Sequence, residues 1–445
     1  MTDGTGSSCT VRLYSVYSTD WRRSADTRPV SGSFDLGERF RSFYQSFQDQ
    51  LPELLHQRKF DHGQVRPENG GEPAPVGIDR AELVLFSLPF PANQIVAALV
   101  LDFQTPDLNA DSTELRRILK ACTDSRILVD GRSTGQLVDD LAGAVKAEKE
   151  IPADPDERPA QAPQERHCLV FVEDLRGINP PTDAVIAGVL YGIQPPYRPE
   201  FTRLERPESL NQEAGTYAAV SQTSSFFYGH PDEVENSVFL TTVQAVGTAA
   251  RFQRIWRDAY YQVQQFQSSK QAKHSGEQVR KDLELLADEM GNLELDLAFS
   301  VETAADLGLG STTSRIDNFH DDLYQVMQIK TRASTVSQMF VRLSSSIRSE
   351  LTAIESREKE VEEDRKLRGA LVLGALSFLL APLAVIFGFF GMSAREIDAR
   401  DTMFDLQRYW LVYALALALM LIAAVFAITF NPDALARWLH RRRRR

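Results

Sequence analysis

The run GALVLGALSFLLAPLAVIFGFFGMS, residues 369–393, decides how the rest of the chain is read. It carries no charge, and as a helix it would be about 37 Å long, enough for a bilayer core of about 30 Å. A second uncharged run, residues 409–431, follows a short polar connection at 394–408. Two such spans joined so closely form an antiparallel transmembrane hairpin. Arg357, Lys359, Arg365, Lys366 and Arg368 precede the first span, while Arg437 and Arg441 to Arg445 follow the second. The connection holds only Arg395, Arg400 and Arg408. By the positive-inside rule both termini then lie in the cytoplasm of a cell-membrane protein with two spans. Tyr409, Trp410 and Trp438 sit where interfacial aromatics are expected.

The chain has 445 residues and a net charge of −12, yet it ends in five arginines. An acidic body with a basic tail suits anionic headgroups better than nucleic acid. Cys9, Cys122 and Cys168 are far apart and form no metal-binding or disulfide pattern. The polar start MTDGTGSSCT argues against a cleaved leader.

The expected fold class is α+β: an N-terminal α/β cytoplasmic domain, then a long helical stalk continuous with the first span, then the hairpin. The boundaries are 1–230 for the α/β domain, 231–312 for a helical region, 313–368 for the stalk, 369–393 and 409–431 for the spans, 394–408 for the outer loop, and 432–445 for the tail. Within the first part, residues 11–18 read as a strand and 37–55 as an amphipathic helix. Residues 82–88 and 95–103 read as a β-hairpin around Pro-Ala-Asn. Ser112 begins a helix, 126–129 is a strand, 135–150 a helix, 167–172 a strand, and 182–191 an apolar helix. Residues 226–228 read as a last edge strand. Residues 61–77, 151–164 and 194–207 are rich in proline and read as inserts or linkers. Helices are expected over 232–268, over 277–307, and unbroken from 313 onward.

In that last helix Phe319, Val326, Ala333, Phe340, Ile347, Ile354 and Val361 repeat at heptad d positions. Four of the seven a positions, Lys330, Ser337, Ser344 and Glu358, are polar. Two readings stay open: an amphipathic helix packed on its own domain, or a stalk around a wet symmetry axis. Farther along, Ala370, Gly374, Ser377, Ala381, Ala384, Gly388 and Gly391 recur every three or four residues and give one face of the helix slim shoulders. That face serves either close helix packing or a pore wall. Two spans per chain cannot enclose a pore, so conduction requires a closed oligomer.

Pro382-Leu383 followed by Gly388-Phe389-Phe390-Gly391-Met392-Ser393 resembles the end of the first transmembrane helix of CorA-type magnesium channels. There a proline stands nine residues before a Gly-Met-Asn signature, with another glycine three residues ahead of it. The resemblance implies a homopentamer whose first spans line a pore, with Gly391, Met392 and Ser393 at its outer selectivity entrance. Ala370, Gly374, Ser377, Ala381, Ala384 and Gly388 would line the passage. Divalent cations, magnesium first among them, would be the cargo and a possible regulator, with no other cofactor and no enzymatic step. The regulatory metal sites do not carry over to any aligned residue.

Ser393 stands where the signature has Asn, exchanging an amide for a shorter hydroxyl and putting magnesium selectivity in question. In the outer loop Glu396, Asp398, Asp401 and Asp405 oppose three arginines, a net −1 that mildly favours cations. Arg441, Arg442, Arg443, Arg444 and Arg445 would ring the inner mouth or bind lipid headgroups. The alternative is a CorA-like scaffold reused as a sensor or effector, with a ligand or partner at the N-terminal domain and a gated or non-conducting pore. Enzyme motifs are weak: residues 306–314 (DLGLGSTTS) lack the lysine and preceding strand of a phosphate loop, and the seven histidines are scattered.

Overall fold

The computed structural model describes residues 8–29, 52–61, 65–67, 78–88, 93–109, 111–124, 126–149, 165–173, 181–192, 204–271, 276–310, 314–392, 407 and 409–430. Residues 1–347 and 348–445 form two compact units.

The first unit is built on β1 (Ser8–Arg22), whose sequence alternates sharply between two destinations. Val11, Leu13 and Tyr17 point to one face and Tyr14 and Val16 to the other, and all five are buried. A strand buried on both faces must be central. It pairs antiparallel with β5 (Gln94–Pro106) on one side and, farther along the sheet, β4 (Ile78–Ser87) and β2 (Glu53–Phe60) follow. On its other side lie β9 (Arg166–Val172), β11 (Ser224–Tyr228) and β10 (Tyr217–Val220). The β9–β11 pairing is parallel, unlike its antiparallel neighbours. The short β8 (Glu148–Lys149) joins the end of β1. A small second sheet comprises β3 (Val65–Pro67), β6 (Ile127–Val129) and β7 (Arg132–Ser133).

Three short helices cover one face: α1 (Thr113–Thr123), α2 (Thr134–Ala144) and α3 (Asp183–Tyr191). Leu115, Ile118, Leu137, Leu141, Ile186 and Val189 pack there with Leu13, Leu83, Leu99 and Leu101. Capping residues start two of them in the ordinary way: Ser133 forms a capping box with Gln136, and the Thr182 hydroxyl accepts from the Val185 N–H. Ser112 precedes α1 as expected, but its side chain makes no cap; Asp111 Oδ1 accepts from the Thr113 N–H instead.

The opposite face carries α4 (Asp232–Gln271). Phe239 of α4 lies 4.4 Å from Tyr14 and 5.6 Å from Phe86, ring centre to ring centre. Phe171 and Phe227 stack at 4.6 Å beside them, and Phe319 closes on Phe227 at 5.5 Å. These contacts are the offset and edge-to-face arrangements aromatic rings favour. Phe319 belongs to α6 (Ser314–Val326), and α5 (Gly276–Gly310) lies along α4. The first unit is therefore helix, sheet, helix in three layers. At Gly247 α4 lies close on the strands: a Cβ there would collide with Leu88 Cδ1 and stand 3.0 Å from Val96 Cγ2.

The mixed α+β class stands, and the expected hairpin of 82–88 with 95–103 lies within β4 and β5. Residues 53–60 form a strand where the sequence suggested the end of a helix; the rest of that expected helix, 37–51, lies outside the described residues. Residues 226–228 are not an edge, since β10 lies beyond them. The helix expected unbroken from 313 ends at Val326, and α7 begins anew as Ile329–Met392. Gln328, at φ +57°, makes the break; a non-glycine residue in that region ends a right-handed helix.

The transmembrane expectation is overturned. Among the described residues no helix is long and apolar enough to cross a membrane. A crossing needs about 20 consecutive apolar residues. The side chains described in α7 and in α8 (Trp410–Phe430) do not assemble such a run. The hairpin of 369–393 and 409–431 therefore falls. With it fall the transmembrane and ion-transport labels and the placement as a two-span cell-membrane protein with cytoplasmic termini.

The Gly247 contact is testable. Gly247→Val should cost about 1–3 kcal/mol of stability by overpacking, measured as a lower urea midpoint at unchanged slope. A loss below about 0.5 kcal/mol would show that helix and strands do not meet there.

Candidate functional site

The expected pore stripe occupies the far part of α7. Ala370, Gly374, Ser377, Ala384, Gly388 and Gly391 are all exposed there. A Cβ added to Gly374, Gly388 or Gly391 would meet nothing within 4 Å. Ala381 and Met392 share the helix. Ser393, Glu396, Asp398, Asp401, Asp405 and Arg441 to Arg445 lie outside the described residues. The heptad seam behaves differently along its length: Ile316, Phe319, Leu323, Phe340 and Ile347 are buried, whereas Val361 is 53 % exposed. Up to Ile347 the amphipathic helices thus pack on their own unit, as the first of the two sequence readings has it.

The structure brings together a different polar set, at the start of α4. Arg12 and Asp102 are register partners on β1 and β5, and Arg12 Nε donates to Asp102 Oδ1 at 2.8 Å. Arg12 Nη1 donates to Glu235 Oε1 at 3.0 Å, and Tyr14 Oη donates to the same oxygen at 2.6 Å. Glu235 stands in the first turn of α4 beside Asp232 and Glu233, where acidic residues suit the helix dipole. Burial raises the Glu235 carboxyl above its usual range, although Arg12 and Tyr14 pull it the other way. Burial also opposes the charge on Arg12, but Glu235, Tyr14 and Asp102 together hold its pKa above the ordinary arginine value. Tyr14 is pushed well up, first by burial and then by Glu235, so its hydroxyl stays a donor. This network pins a helix end to the middle of the sheet.

A second buried pair lies between β9 and β11, where His167 Nε2 is 2.8 Å from Ser225 Oγ. Burial lowers the His167 pKa to about 4, so the ring is neutral near pH 7. Both side chains are fully enclosed, which suits a structural hydrogen bond. All three cysteines are buried and free, with burial raising the thiol pKa of each. Among the described residues no cluster of three or more His, Cys, Asp or Glu could hold a metal ion. Four exposed carboxylates elsewhere are engaged in surface pairs. Asp139 accepts from Trp21 Nε1 at 2.7 Å, Asp140 from Arg132 at 2.6 Å, Asp321 from Lys330 at 3.1 Å, and Glu362 pairs with Lys366 at 2.8 Å.

No protein-family profile, curated protein or solved structure matches this chain. The candidate site therefore rests on geometry alone. Its residues escaped the sequence reading, although a signal was there. Arg12 and Asp102 each interrupt an apolar strand, VRLYSV and LVLDF, and a charge among core residues calls for a partner. Which partner depends on strand register, and that appears only in the fold.

Removing the Glu235 carboxylate should leave a half-buried arginine poorly matched. Glu235→Ala is expected to cost about 3 kcal/mol in urea denaturation, and a loss under 1 kcal/mol would show that the pin is dispensable. A carboxyl with a raised folded pKa binds protons more readily folded than unfolded. Its contribution to stability is present below the ordinary glutamate range and is lost as pH rises through the raised value. The stability difference between wild type and Glu235→Gln should accordingly fall from pH 4 upward and then level off; a rise over that interval would contradict the assignment.

Proposed function

We propose that this chain is a non-enzymatic, self-assembling sensor or effector subunit. In this reading the sheet unit takes up a ligand or partner and the helices of residues 348–430 gather copies of the chain into a closed ring. The observation that carries it is the exposed apolar surface of those helices. Leu373, Leu376, Leu380, Leu383 and Phe387 on α7 are 44–69 % exposed. On α8, Trp410, Leu411, Leu415, Leu417 and Leu421 are 54–63 % exposed. Contiguous apolar surface of this kind needs a cover. Copies of the same chain supply one symmetrically, and closed cyclic rings are the usual result. The slim face from Ala370 to Gly391 favours close helix approach, and five-fold closure is what the CorA resemblance implies.

Support for a sensor over an ion passage comes from two sides. Ion passage as that resemblance implies it needs two membrane spans, which the described helices do not provide. The buried pin at Arg12, Tyr14, Asp102 and Glu235 ties the sheet to α4 and offers a rigid route from a bound ligand to the rest of the first unit.

Mass photometry of the purified full chain should show a discrete species at a multiple of 49.9 kDa, five-fold on this reading. The combined change Leu376→Glu and Leu380→Glu should shift it to monomer. A monomeric wild-type chain at micromolar concentration would overturn the proposal. So would uptake of Mg²⁺, Zn²⁺, Co²⁺ or Ni²⁺ into vesicles carrying the protein, above that of empty vesicles.

A further inference from the structure

The three cysteines form no pattern in the sequence, but the fold brings two of them to one point. Ser15 of β1 and Cys168 of β9 are register partners on neighbouring strands, so both side chains enter the layer covered by α1, α2 and α3. Cys168 Sγ donates to Ser15 Oγ at 3.8 Å. Cys122 comes down from the last turn of α1 and reaches the same hydroxyl, close enough to Cys168 for the two sulfurs to act on each other through space. All three side chains are buried. Cys9 stands apart, about 20 Å farther back along β1 and beside Leu108 and Asp107.

Arg166 holds this cluster shut. It shares a face of β9 with Cys168, and its Nη1 donates to Cys122 O at 2.6 Å and also to Thr123 O. These carbonyls end α1, where a helix leaves such groups without partners of its own and where a cation suits the dipole. The same guanidinium lies over the Tyr17 ring at 5.5 Å. Burial, and for Cys122 the neighbouring Cys168, keeps both thiols protonated at neutral pH, against the pull of Ser15 and Arg166 on each and of Thr123 on Cys168. The closed cluster is therefore inert. Helix ends, however, are where local opening costs least. Releasing the last turn of α1 bares both sulfurs with Arg166 and Ser15 beside them.

We propose that Cys122 and Cys168 are a redox latch, oxidised to a disulfide by hydrogen peroxide when the last turn of α1 opens. Cys168 is the attacking sulfur, since Ser15, Arg166 and Thr123 all favour its thiolate. It gives up its proton and attacks one peroxide oxygen. The O–O bond breaks, and the hydroxide that leaves takes the proton and becomes water. The Cys122 thiolate then attacks the sulfenic acid on Cys168. The S–O bond breaks as the S–S bond forms, and the second hydroxide leaves with the Cys122 proton as a second water. Two thiols lose two electrons and the peroxide gains them. The product clips the end of α1 to β9, joining segments far apart in the sequence, so the oxidised unit opens less readily than the reduced one. The latch rests on neither the assembly nor the sensor reading.

The test begins with the reduced full chain, exposed to submillimolar hydrogen peroxide, blocked with N-ethylmaleimide and digested with trypsin without reductant. Peptide 121–126, which holds Cys122, should appear joined to peptide 167–176, which holds Cys168, at their summed mass less two hydrogens. Dithiothreitol should part them. The thermal midpoint of the oxidised chain should lie at least about 4 °C above that of the reduced chain. Cys122→Ser and Cys168→Ser should each abolish the link and the shift, whereas Cys9→Ser should keep both. Circular dichroism checks that the variants fold. In Cys122→Ser, dimedone should capture a sulfenic acid on Cys168. A wild-type chain whose Cys122 and Cys168 are both still alkylated by maleimide after millimolar peroxide would overturn the latch, and this outcome needs no variant. So would peroxide joining Cys9 to either partner, or a link that leaves the midpoint unmoved.

Discussion

The interaction between Arg12, Tyr14 and Glu235 holds the first unit to a single arrangement. A glutamate in the first turn of a 40-residue helix reaches down to the central strand and finds a guanidinium and a phenol waiting in register. Hydrophobic contact alone would let a helix that long slide or roll over the flat aromatic bed of Tyr14, Phe86, Phe171 and Phe227. A charge-assisted pair to one side chain is directional and fixes where along the sheet the helix begins. Farther along, Arg251 of the same helix meets Asp296, and Phe319 meets Phe227.

The surface suited to assembly lies in residues 348–430, where exposed leucines call for apolar neighbours. The buried His167–Ser225 pair is a polar contact enclosed within the sheet.

Much of the first unit was legible in the sequence because the signals are local. Apolar runs of strand length, separated by Pro-Ala-Asn, read as β4 and β5, and Ser112 announces the start of α1. Asp130-Gly131 was legible too but passed over; both residues have positive φ, the two-residue turn that joins β6 to β7. Other features had no local signature. The interior position of β11 depends on sheet order, and residues 53–60 became a strand because β4 offers an open edge, which overrides a helical spacing of apolar residues. The break at Gln328 has neither glycine nor proline to announce it. At 369–393 an uncharged length suggests a span, but length without charge is not by itself a sign of one. Arg12 and Asp102 were visible as anomalies within apolar strands, yet their meaning lies in β1–β5 register, and that is not written in either segment alone.

Gly247 gives the frame its mechanical character. At Gly247 the missing side chain leaves a notch that Leu88 fills like a tooth. Shifting α4 by one turn in either direction would bring Val243 or Arg251 onto that tooth, and neither fits. The seat of α4 on the sheet is therefore set by the shape of one position, and sliding the helix by a turn is a step that this packing refuses.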